Sequence, residues 1–292
     1  MELTKRIKKV ALASHMDYIG ISPAERLENE TEKLLRPRTF LPDAQSVVSM
    51  GINMNIGTQL AHKMAYHYHQ RNAIFIYRWS AFNQLNFHLD RVVLLVARLI
   101  EAENEQYVAV GIPSSSPFDL RTSLTEFSNI HAAVAAGLGD LGWNGFALNA
   151  KTGPRVRYVS VITNAKLEPA PIYNGPKLCE PEKCGYICAK ICPTGALGSD
   201  SEKRVIGGTS FDVAKFDRWR CLWGCMGLSD GSLALKSIPM PDRVELDDIT
   251  KALAQRDFRQ TQESIPFGTG DYCGKCIVEC PVGARIQLLR RY

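Results

Sequence analysis

Cysteine is the residue type whose spacing in this chain points most clearly to chemistry. All nine cysteines follow residue 178. Four form the run Cys179-x4-Cys184-x3-Cys188-x3-Cys192-Pro193, and three form the run Cys273-x2-Cys276-x3-Cys280-Pro281. Bacterial two-cluster ferredoxins use C-x2-C-x2-C-x3-C-P runs, in which the last cysteine ligates the other cluster. Because both runs here end in C-x3-C-P, the sequence predicts two [4Fe–4S] clusters that exchange their last cysteines.

This exchange gives each cluster ligands from both runs. The first cluster is assigned Cys179, Cys184, Cys188 and Cys280. The second is assigned Cys192, Cys273, Cys276 and either Cys221 or Cys225, which lie between the runs in "RCLWGCMGL". Zinc is the alternative, but zinc favours paired C-x2-C knuckles, and this chain has a single C-x2-C. The ninth cysteine is then a buried apolar thiol, for which Cys225 is the candidate.

The composition of the chain changes where the cysteines begin. The segment "LEPAPIYNGPKLCEPEKC" at this point carries four prolines, which favour a stiff, non-helical connector. We therefore predict two domains, residues 1–170 and residues 171–292. A cytosolic protein keeps its thiols reduced, so none of the nine is expected in a disulfide.

The front domain has the pattern of mixed helices and strands. "KRIKKVALASHMDYIGIS" predicts a helix that runs into a strand, and residues 84–105 predict a long helix with one apolar face. "AQSVVSMGI", "QYVAVGI" and "VRYVSVIT" are short apolar runs that predict buried strands. These elements indicate a layered domain of the α+β or α/β class.

A glycine-rich loop follows an alanine-rich helix in "TSLTEFSNIHAAVAAGLGDLGWNG". Ser123 and Glu126 have the spacing of a capping box for that helix. The loop glycines are Gly137, Gly139, Gly142 and Gly145. They either let the backbone lie against a bulky cofactor or simply cap the helix and form a turn.

The charge and hydropathy of the sequence indicate neither a nucleic-acid-binding surface nor a membrane-spanning segment. The net charge is +5, and Lys and Arg are scattered, so no nucleic-acid partner is expected. The longest apolar run, residues 92–100, is interrupted by Arg98 and is too short to span a bilayer. The N-terminal residues lack the apolar core of a secretory signal and a twin-arginine pair. These features predict a cytoplasmic protein without a membrane partner.

The stretch "NIHAAVAAGLGDLGWNGFALNAKTGPRVRYVSVIT", together with "LPDAQSVVSMGI" and the two Cys-Pro runs, resembles the family of reductive dehalogenases and epoxyqueuosine reductases. The resemblance covers roughly residues 5–285. It implies a nitroreductase-like α+β domain that binds a base-off corrinoid (cobalamin), followed by a ferredoxin-like module with two [4Fe–4S] clusters. It also implies that Co(I) is the working reductant. The backbone residues that it places at the corrinoid are Gly137, Leu138, Gly139, Gly142 and Gly145.

The resemblance bears on individual residues as well. Cys221, which follows "FDRWR", matches the isolated cysteine that completes the second cluster in the family, and this favours Cys221 over Cys225. Ser123 stands where epoxyqueuosine reductases have their acidic proton donor, and Trp143 stands where the dehalogenases have arginine. Eleven residues follow Pro281, where epoxyqueuosine reductases continue into helical repeats for tRNA.

Two short stretches supply candidate catalytic side chains. Tyr66 and Tyr68 lie among three histidines in "HKMAYHYHQ", and a phenol could donate a proton there. Arg155 and Arg157 lie in "GPRVRY", where the dehalogenases have a matching basic strand. The alternative for all four is an ordinary surface or packing role.

These observations lead to one main functional interpretation. The chain is expected to be a corrinoid- and iron–sulfur-dependent reductase that performs dehalogenation- or deoxygenation-type cleavage. A small-molecule substrate and an external low-potential electron donor such as a ferredoxin or flavodoxin are expected, and a homodimer is one option. The alternatives are an iron–sulfur protein that donates electrons to a partner or reactivates it, and a ferredoxin-like protein that has lost cobalamin.

Overall fold

The structure is a computed structural model that describes residues 2–28, 36–114, 118–119, 124–125, 127–229, 237–255, 273–283 and 286–289. The strands are β1 Tyr18–Pro23, β2 Ser46–Asn53, β3 Ala109–Ile112, β4 Phe118–Asp119, β5 Leu124–Thr125, β6 Asp140–Leu141, β7 Ala147–Leu148, β8 Val156–Thr163, β9 Leu197–Ile206 and β10 Thr209–Phe216. The helices of the front part are α1 Glu2–Ala13, α2 Glu25–Glu28, α3 Pro37–Phe40, α4 Ile56–His67, α5 Arg71–Arg78, α6 Leu85–Glu101 and α7 Asn129–Ala135. The later helices are α8 Pro181–Cys184, α9 Ile187–Lys190, α10 Arg218–Cys225, α11 Leu246–Ala254, α12 Lys275–Val278 and α13 Ile286–Leu289.

A four-stranded antiparallel sheet forms the centre of the front part, in the order β1-β2-β8-β3. Strands β2 and β8 pair along their whole length, from Ser46 opposite Thr163 to Asn53 opposite Val156. Both strands are buried almost throughout, which explains why their sequences are apolar runs without alternation. The predicted mixture of helices and strands is confirmed, and all neighbouring strands of this sheet are antiparallel.

Helices cover both faces of this sheet, because successive side chains of a strand point to opposite faces. Val48 and Met50 pack against α1 and α6, where Leu89 and Val96 are fully buried. Val47 faces the other side, where α7 contributes the buried residues 132–135. Each large apolar side chain buried in this way contributes about 1.5–3 kcal/mol to the free energy of unfolding.

Helix α7 begins and ends with side-chain and backbone caps that fix the loop after it. Ser128 is the N-cap, and its Oγ accepts a hydrogen bond from the backbone N–H of His131. The predicted capping box at Ser123 and Glu126 lies outside the described residues. At the other end, the N–H of Leu138 bonds the carbonyl of Ala133, and Gly137 has φ +76°. This is the Schellman arrangement, in which glycine takes the left-handed position after a helix.

The cysteine-containing part consists of short helices and one hairpin that packs on the front part. Strands β9 and β10 join through Gly207 and Gly208, whose positive φ angles suit a two-residue turn. Ile206 and Val213 of this hairpin lie in the same core cluster as α7. The predicted division at residue 170 stays a prediction. Within the part of the chain that the structure describes, no helix has the length and apolar character needed to cross a membrane.

Candidate iron–sulfur centre

The first predicted set of cysteines lines one cavity. The cavity has a volume of about 450 Å³, and its walls include Cys179, Cys184, Cys188 and Cys280. Three of these thiols come from the proline-rich segment and the short helices α8 and α9, and the fourth follows α12 near the other end of the chain. Short helices separated by turns suit this arrangement, because each turn redirects one thiol towards a common centre.

Mutual effects on acidity show that Cys280 is close to the others. The pKa of Cys179 is raised to about 11 and that of Cys188 to about 12, mainly by burial, and the neighbouring Cys280 thiol contributes to both increases. Cys184 in turn raises the pKa of Cys280, whose largest cause is again burial. The last cysteine of the second run therefore stands among the first three cysteines of the first run.

The second set of cysteines shows the same exchange. Burial raises the pKa of Cys276 strongly, and the thiols of Cys273, Cys221 and Cys192 raise it further. Burial also raises the pKa of Cys273 to about 12, with smaller contributions from Cys221 and Cys192. The last cysteine of the first run thus stands with the first two cysteines of the second run.

Cys221 and Cys225 both border this second set. They lie one turn apart on α10, and a hydrogen bond between the thiols lowers the pKa of Cys221 while raising that of Cys225. The thiols of Cys273 and Cys276 also raise the pKa of Cys225. The assignment of Cys221 as the ligand stays a prediction.

The first cavity offers chemistry that fits an anionic cluster. The backbone N–H of Trp143 donates a hydrogen bond of 3.1 Å to Sγ of Cys179, and the buried indole Nε1 of Trp143 has no partner among the described residues. Hydrogen bonds to sulfur are a normal part of iron–sulfur sites. Among the described residues no group of His, Cys, Asp and Glu is arranged around a single metal ion. A four-iron cluster is larger than one ion and holds its thiolates further apart.

Arg155 and Arg157 have different surroundings although they are two residues apart. The guanidinium of Arg155 contacts backbone carbonyls of the second cysteine run. Arg157 donates from Nη2 to Oδ1 of Asn86 at 2.9 Å and lies 4.6 Å from the ring centre of Phe82. Their predicted catalytic roles are untested, and Arg157 lies near a fully buried side chain that could donate a proton.

That side chain is Tyr77, which sequence reasoning missed. It is fully buried, and its hydroxyl has no hydrogen-bond partner among the described residues. Burial raises its pKa, nearby Arg157 opposes this, and the thiols of Cys273 and Cys276 add to the increase. Tyr77 therefore lies between Arg157 and the second cysteine set. Its surroundings in "IFIYRW" look like an ordinary amphipathic helix, so no local signal marked it.

The two tyrosines predicted from the sequence lie in different environments. The ring centre of Tyr66 is 4.7 Å from that of His62 and 4.4 Å from Nζ of Lys275, which lies between two cysteines of the second run. Tyr68 is 53% exposed. The structure thus brings Tyr66 next to the second cysteine run.

The predicted glycines of the loop differ in what surrounds them. A Cβ on Gly137 would lie 2.1 Å from the carbonyl oxygen of Pro171, and one on Gly139 would lie 2.0 Å from that of Leu148. A Cβ on Gly142 would meet Oδ1 of Asn144 at 2.8 Å, whereas Gly145 has nothing within 4 Å. Close protein packing accounts for the first three glycines, and Leu138 packs against the core of α7. A corrinoid contact at these residues stays a prediction, for which Gly145 has the open space.

Comparison with known proteins agrees with the resemblance seen in the motifs. No family model matches the chain. An epoxyqueuosine reductase from Cyclobacterium marinum is 26% identical over 223 residues, which are 68% of this chain and 64% of the relative. A tetrachloroethene reductive dehalogenase from Dehalobacter restrictus is 30% identical over 95 residues, which are 30% of this chain and 16% of the relative. The resemblance to these two groups of reductases is confirmed. This chain spans less than two thirds of the length of these relatives.

Solved structures show the same fold. An epoxyqueuosine reductase matches 96% of this chain and 65% of its own, with a TM-score of 0.52 and 17% identity. A reductive dehalogenase, whose structure suggests a mechanism for B12-dependent dehalogenation, matches 89% of this chain and 34% of its own, with a TM-score of 0.50 and 17% identity. At these identities the likeness shows a common fold.

The expectation of no nucleic-acid partner is wrong. The sequence relative that matches 68% of this chain is an epoxyqueuosine reductase, and epoxyqueuosine is a modification of tRNA. Net charge and basic runs were a poor basis for the exclusion, because binding depends on which charges the fold brings to one face.

Proposed function

We propose that this protein is a cytoplasmic iron–sulfur- and corrinoid-dependent reductase that cleaves a carbon–halogen or carbon–oxygen bond. One observation supports the proposal: the Cys280 thiol of the second run acts on thiols of the first run, and the Cys192 thiol of the first run acts on thiols of the second. These two sets of thiols suit two [4Fe–4S] clusters held by a ferredoxin-like module. The two sets also adjoin, since the Cys188 thiol contributes to the raised pKa of Cys276. Neighbouring clusters can pass electrons one at a time.

A nitroreductase-like front domain would hold the corrinoid beside these clusters. When bound, the corrinoid supplies the low-potential reducing equivalents that the bond cleavage needs. Gly145 is the loop residue with space for such a ligand, because nothing lies within 4 Å of the position of its Cβ. The protein contributes orientation, exclusion of water and a proton.

Tyr77 is the proton donor that we propose. Its burial raises the pKa of the phenol, so the hydroxyl keeps its proton near neutral pH. Arg157 lies close enough to stabilise the phenolate that forms when the proton leaves. The reaction consumes two electrons and one proton, breaks the bond from carbon to halogen or oxygen, forms a C–H bond and releases the leaving group as an anion. Arg157 is itself held by Asn86, which fixes the position of its charge.

Anaerobic reconstitution with iron, sulfide and hydroxocobalamin tests this function. We expect corrinoid absorption bands at one equivalent per chain and turnover of at least one substrate from a panel of aryl bromides and epoxides, with titanium(III) citrate as reductant. Iron–sulfur clusters and bound corrinoid without turnover would favour a protein that donates electrons to a partner. Clusters without corrinoid would contradict the proposal.

A further inference from the structure

Arg155 is buried where the front part of the chain meets the second cysteine run. It is 2% exposed and immediately precedes β8. Its Nη1 donates to the carbonyl of Cys280 at 2.7 Å and to that of Ile277 at 3.2 Å. Further contacts reach the carbonyls of Val278 and Val282. One guanidinium therefore contacts four carbonyls of a six-residue segment.

These carbonyls need a partner for a reason that the local fold explains. Ile277 and Val278 end α12, and the last carbonyls of a helix have no partner within it. The chain then turns through Cys280 and a proline, which has no N–H to offer. Because buried carbonyls without hydrogen bonds are costly, a buried cation at this point fixes the turn.

Two other side chains act on the same run. Nε2 of His62 lies 2.6 Å from the carbonyl of Cys273, and Nδ2 of Asn144 donates to the carbonyl of Cys276 at 3.0 Å. A carbonyl only accepts, so Nε2 of His62 carries the proton. Each cysteine of the second run thus has its carbonyl held by a side chain from the front part.

Arg155 differs from the other two because it carries a charge. Burial lowers the pKa of its guanidinium, but the Cys280 thiol and Glu279 oppose this, and arginine stays protonated in proteins. A cluster becomes more negative when it is reduced. A fixed buried cation beside one of its ligands stabilises that reduced state, so the reduction potential of the cluster rises.

We propose that Arg155 is a positioning residue that directs Cys280 into the first cysteine set and raises the reduction potential of the cluster held there. The inference rests on the clusters of the proposed function. It gives Arg155 a role in electron transfer in place of the catalytic role that the sequence suggested. A purely structural contact would hold the loop without affecting the potential.

Redox titration followed by electron paramagnetic resonance tests the charge. The signal that disappears in Cys179→Ala identifies the first cluster. In Arg155→Met that signal should shift to a lower potential, while the second cluster keeps its wild-type potential. Arg26→Met is the matched control, since Arg26 also donates from a partly buried guanidinium to two carbonyls, of Ala135 and Ala170, outside the cysteine runs. Wild-type potentials in Arg155→Met, or the same shift in Arg26→Met, would overturn the charge effect.

Arg155→Lys tests the positioning and remains informative if the methionine variant does not fold. Lysine keeps the charge but cannot reach four carbonyls at once. We expect the first cluster to keep its potential while its occupancy, measured as iron per chain, falls below that of the wild type, and the second cluster to stay fully occupied. Wild-type occupancy of both clusters in Arg155→Lys would overturn the positioning role. Absence of clusters from the wild type would instead contradict the proposed function.

Discussion

Nη1 of Arg155 donates a hydrogen bond of 2.7 Å to the carbonyl of Cys280, a residue 125 positions further along the chain. This contact joins the residue before the central strand β8 to Cys280, the cysteine of the second run that we assign to the first cluster. It also holds the second run against the front part, because the same guanidinium contacts four carbonyls of this segment. The exchange of cysteines between the runs can be tested directly.

Double variants distinguish exchanged ligands from ligands that stay within one run. Cys179→Ala with Cys280→Ala should lose one cluster and keep about four irons, because both cysteines serve the same cluster. Cys273→Ala with Cys280→Ala should lose both clusters. Iron and sulfide analysis after anaerobic reconstitution measures the difference. If the second pair kept one cluster and the first pair lost both, the two runs would not be exchanged.

Substitution of the two cysteines of α10 should have different effects on the number of bound iron–sulfur clusters. Cys221→Ala is expected to lose up to one cluster, because the family resemblance places Cys221 at the isolated cysteine that completes the second cluster, beside Cys273 and Cys276. Cys225→Ala should keep both clusters, since this assignment leaves Cys225 as a buried thiol that is not a ligand. Iron content and the electron paramagnetic resonance spectrum of the reduced proteins report the outcome. Loss of a cluster from Cys225→Ala alone would reverse the assignment.

Substitutions at two glycines of the loop should distinguish a role in protein packing from a role in cofactor binding. Gly139→Ala places a methyl group 2.0 Å from the carbonyl oxygen of Leu148, so we expect a loss of about 1–3 kcal/mol in the stability of the apo protein. Gly145→Asn should fold like the wild type, because asparagine tolerates the φ of +74° and nothing lies within 4 Å. Thermal melting checks both expectations.

The same two variants test the corrinoid contact by absorbance titration with cobalamin. If Gly145 faces the corrinoid, Gly145→Asn should bind cobalamin more weakly than the wild type while keeping its clusters. If the folded Gly145→Asn variant binds cobalamin as tightly as the wild type does, Gly145 does not contact the cofactor.

Tyr77→Phe should reduce turnover without lowering the thermal stability of the protein. The hydroxyl has no partner among the described residues, so its removal should leave the melting temperature of the apo protein unchanged or slightly higher. Turnover should fall by about 10²- to 10⁴-fold, the usual contribution of a positioned acid. Tyr158→Phe is the control, because its buried hydroxyl is also unpartnered among the described residues but belongs to the core around α7. Equal turnover in both variants would exclude Tyr77 as the proton donor.

Local patterns allowed much of the fold to be predicted. The apolar runs that became β1, β2, β3 and β8, and the helical periodicity that became α6, are properties of neighbouring residues. The grouping of the cysteines into two ligand sets stays a prediction, which rests on the Cys-Pro ending of each run. The predicted helix at 84–105 ends earlier in the structure, at Glu101, and at its start a π-helix over Trp79–Gln84 joins α5 to α6. Such a turn has no clear sequence pattern.

Long-range polar contacts could not be predicted. Nothing around His62, Asn144 or Arg155 shows that each binds a carbonyl more than 120 residues away. Tyr77 gains its environment from Arg157 and from the second cysteine run, which meet it only in the folded chain. The β9–β10 hairpin was also missed, since it lies between cysteines that dominated the interpretation of this region.

Metal analysis of the wild-type protein tests the central claim most directly. The two exchanged cysteine sets predict about eight irons and eight sulfides per chain after anaerobic reconstitution, because each four-iron cluster takes four thiolates. Iron, acid-labile sulfide and zinc should be measured on the same sample, with protein concentration from amino-acid analysis. About eight irons with little zinc is the result that we predict. Stoichiometric zinc without iron, or a single cluster with about four irons, would contradict it.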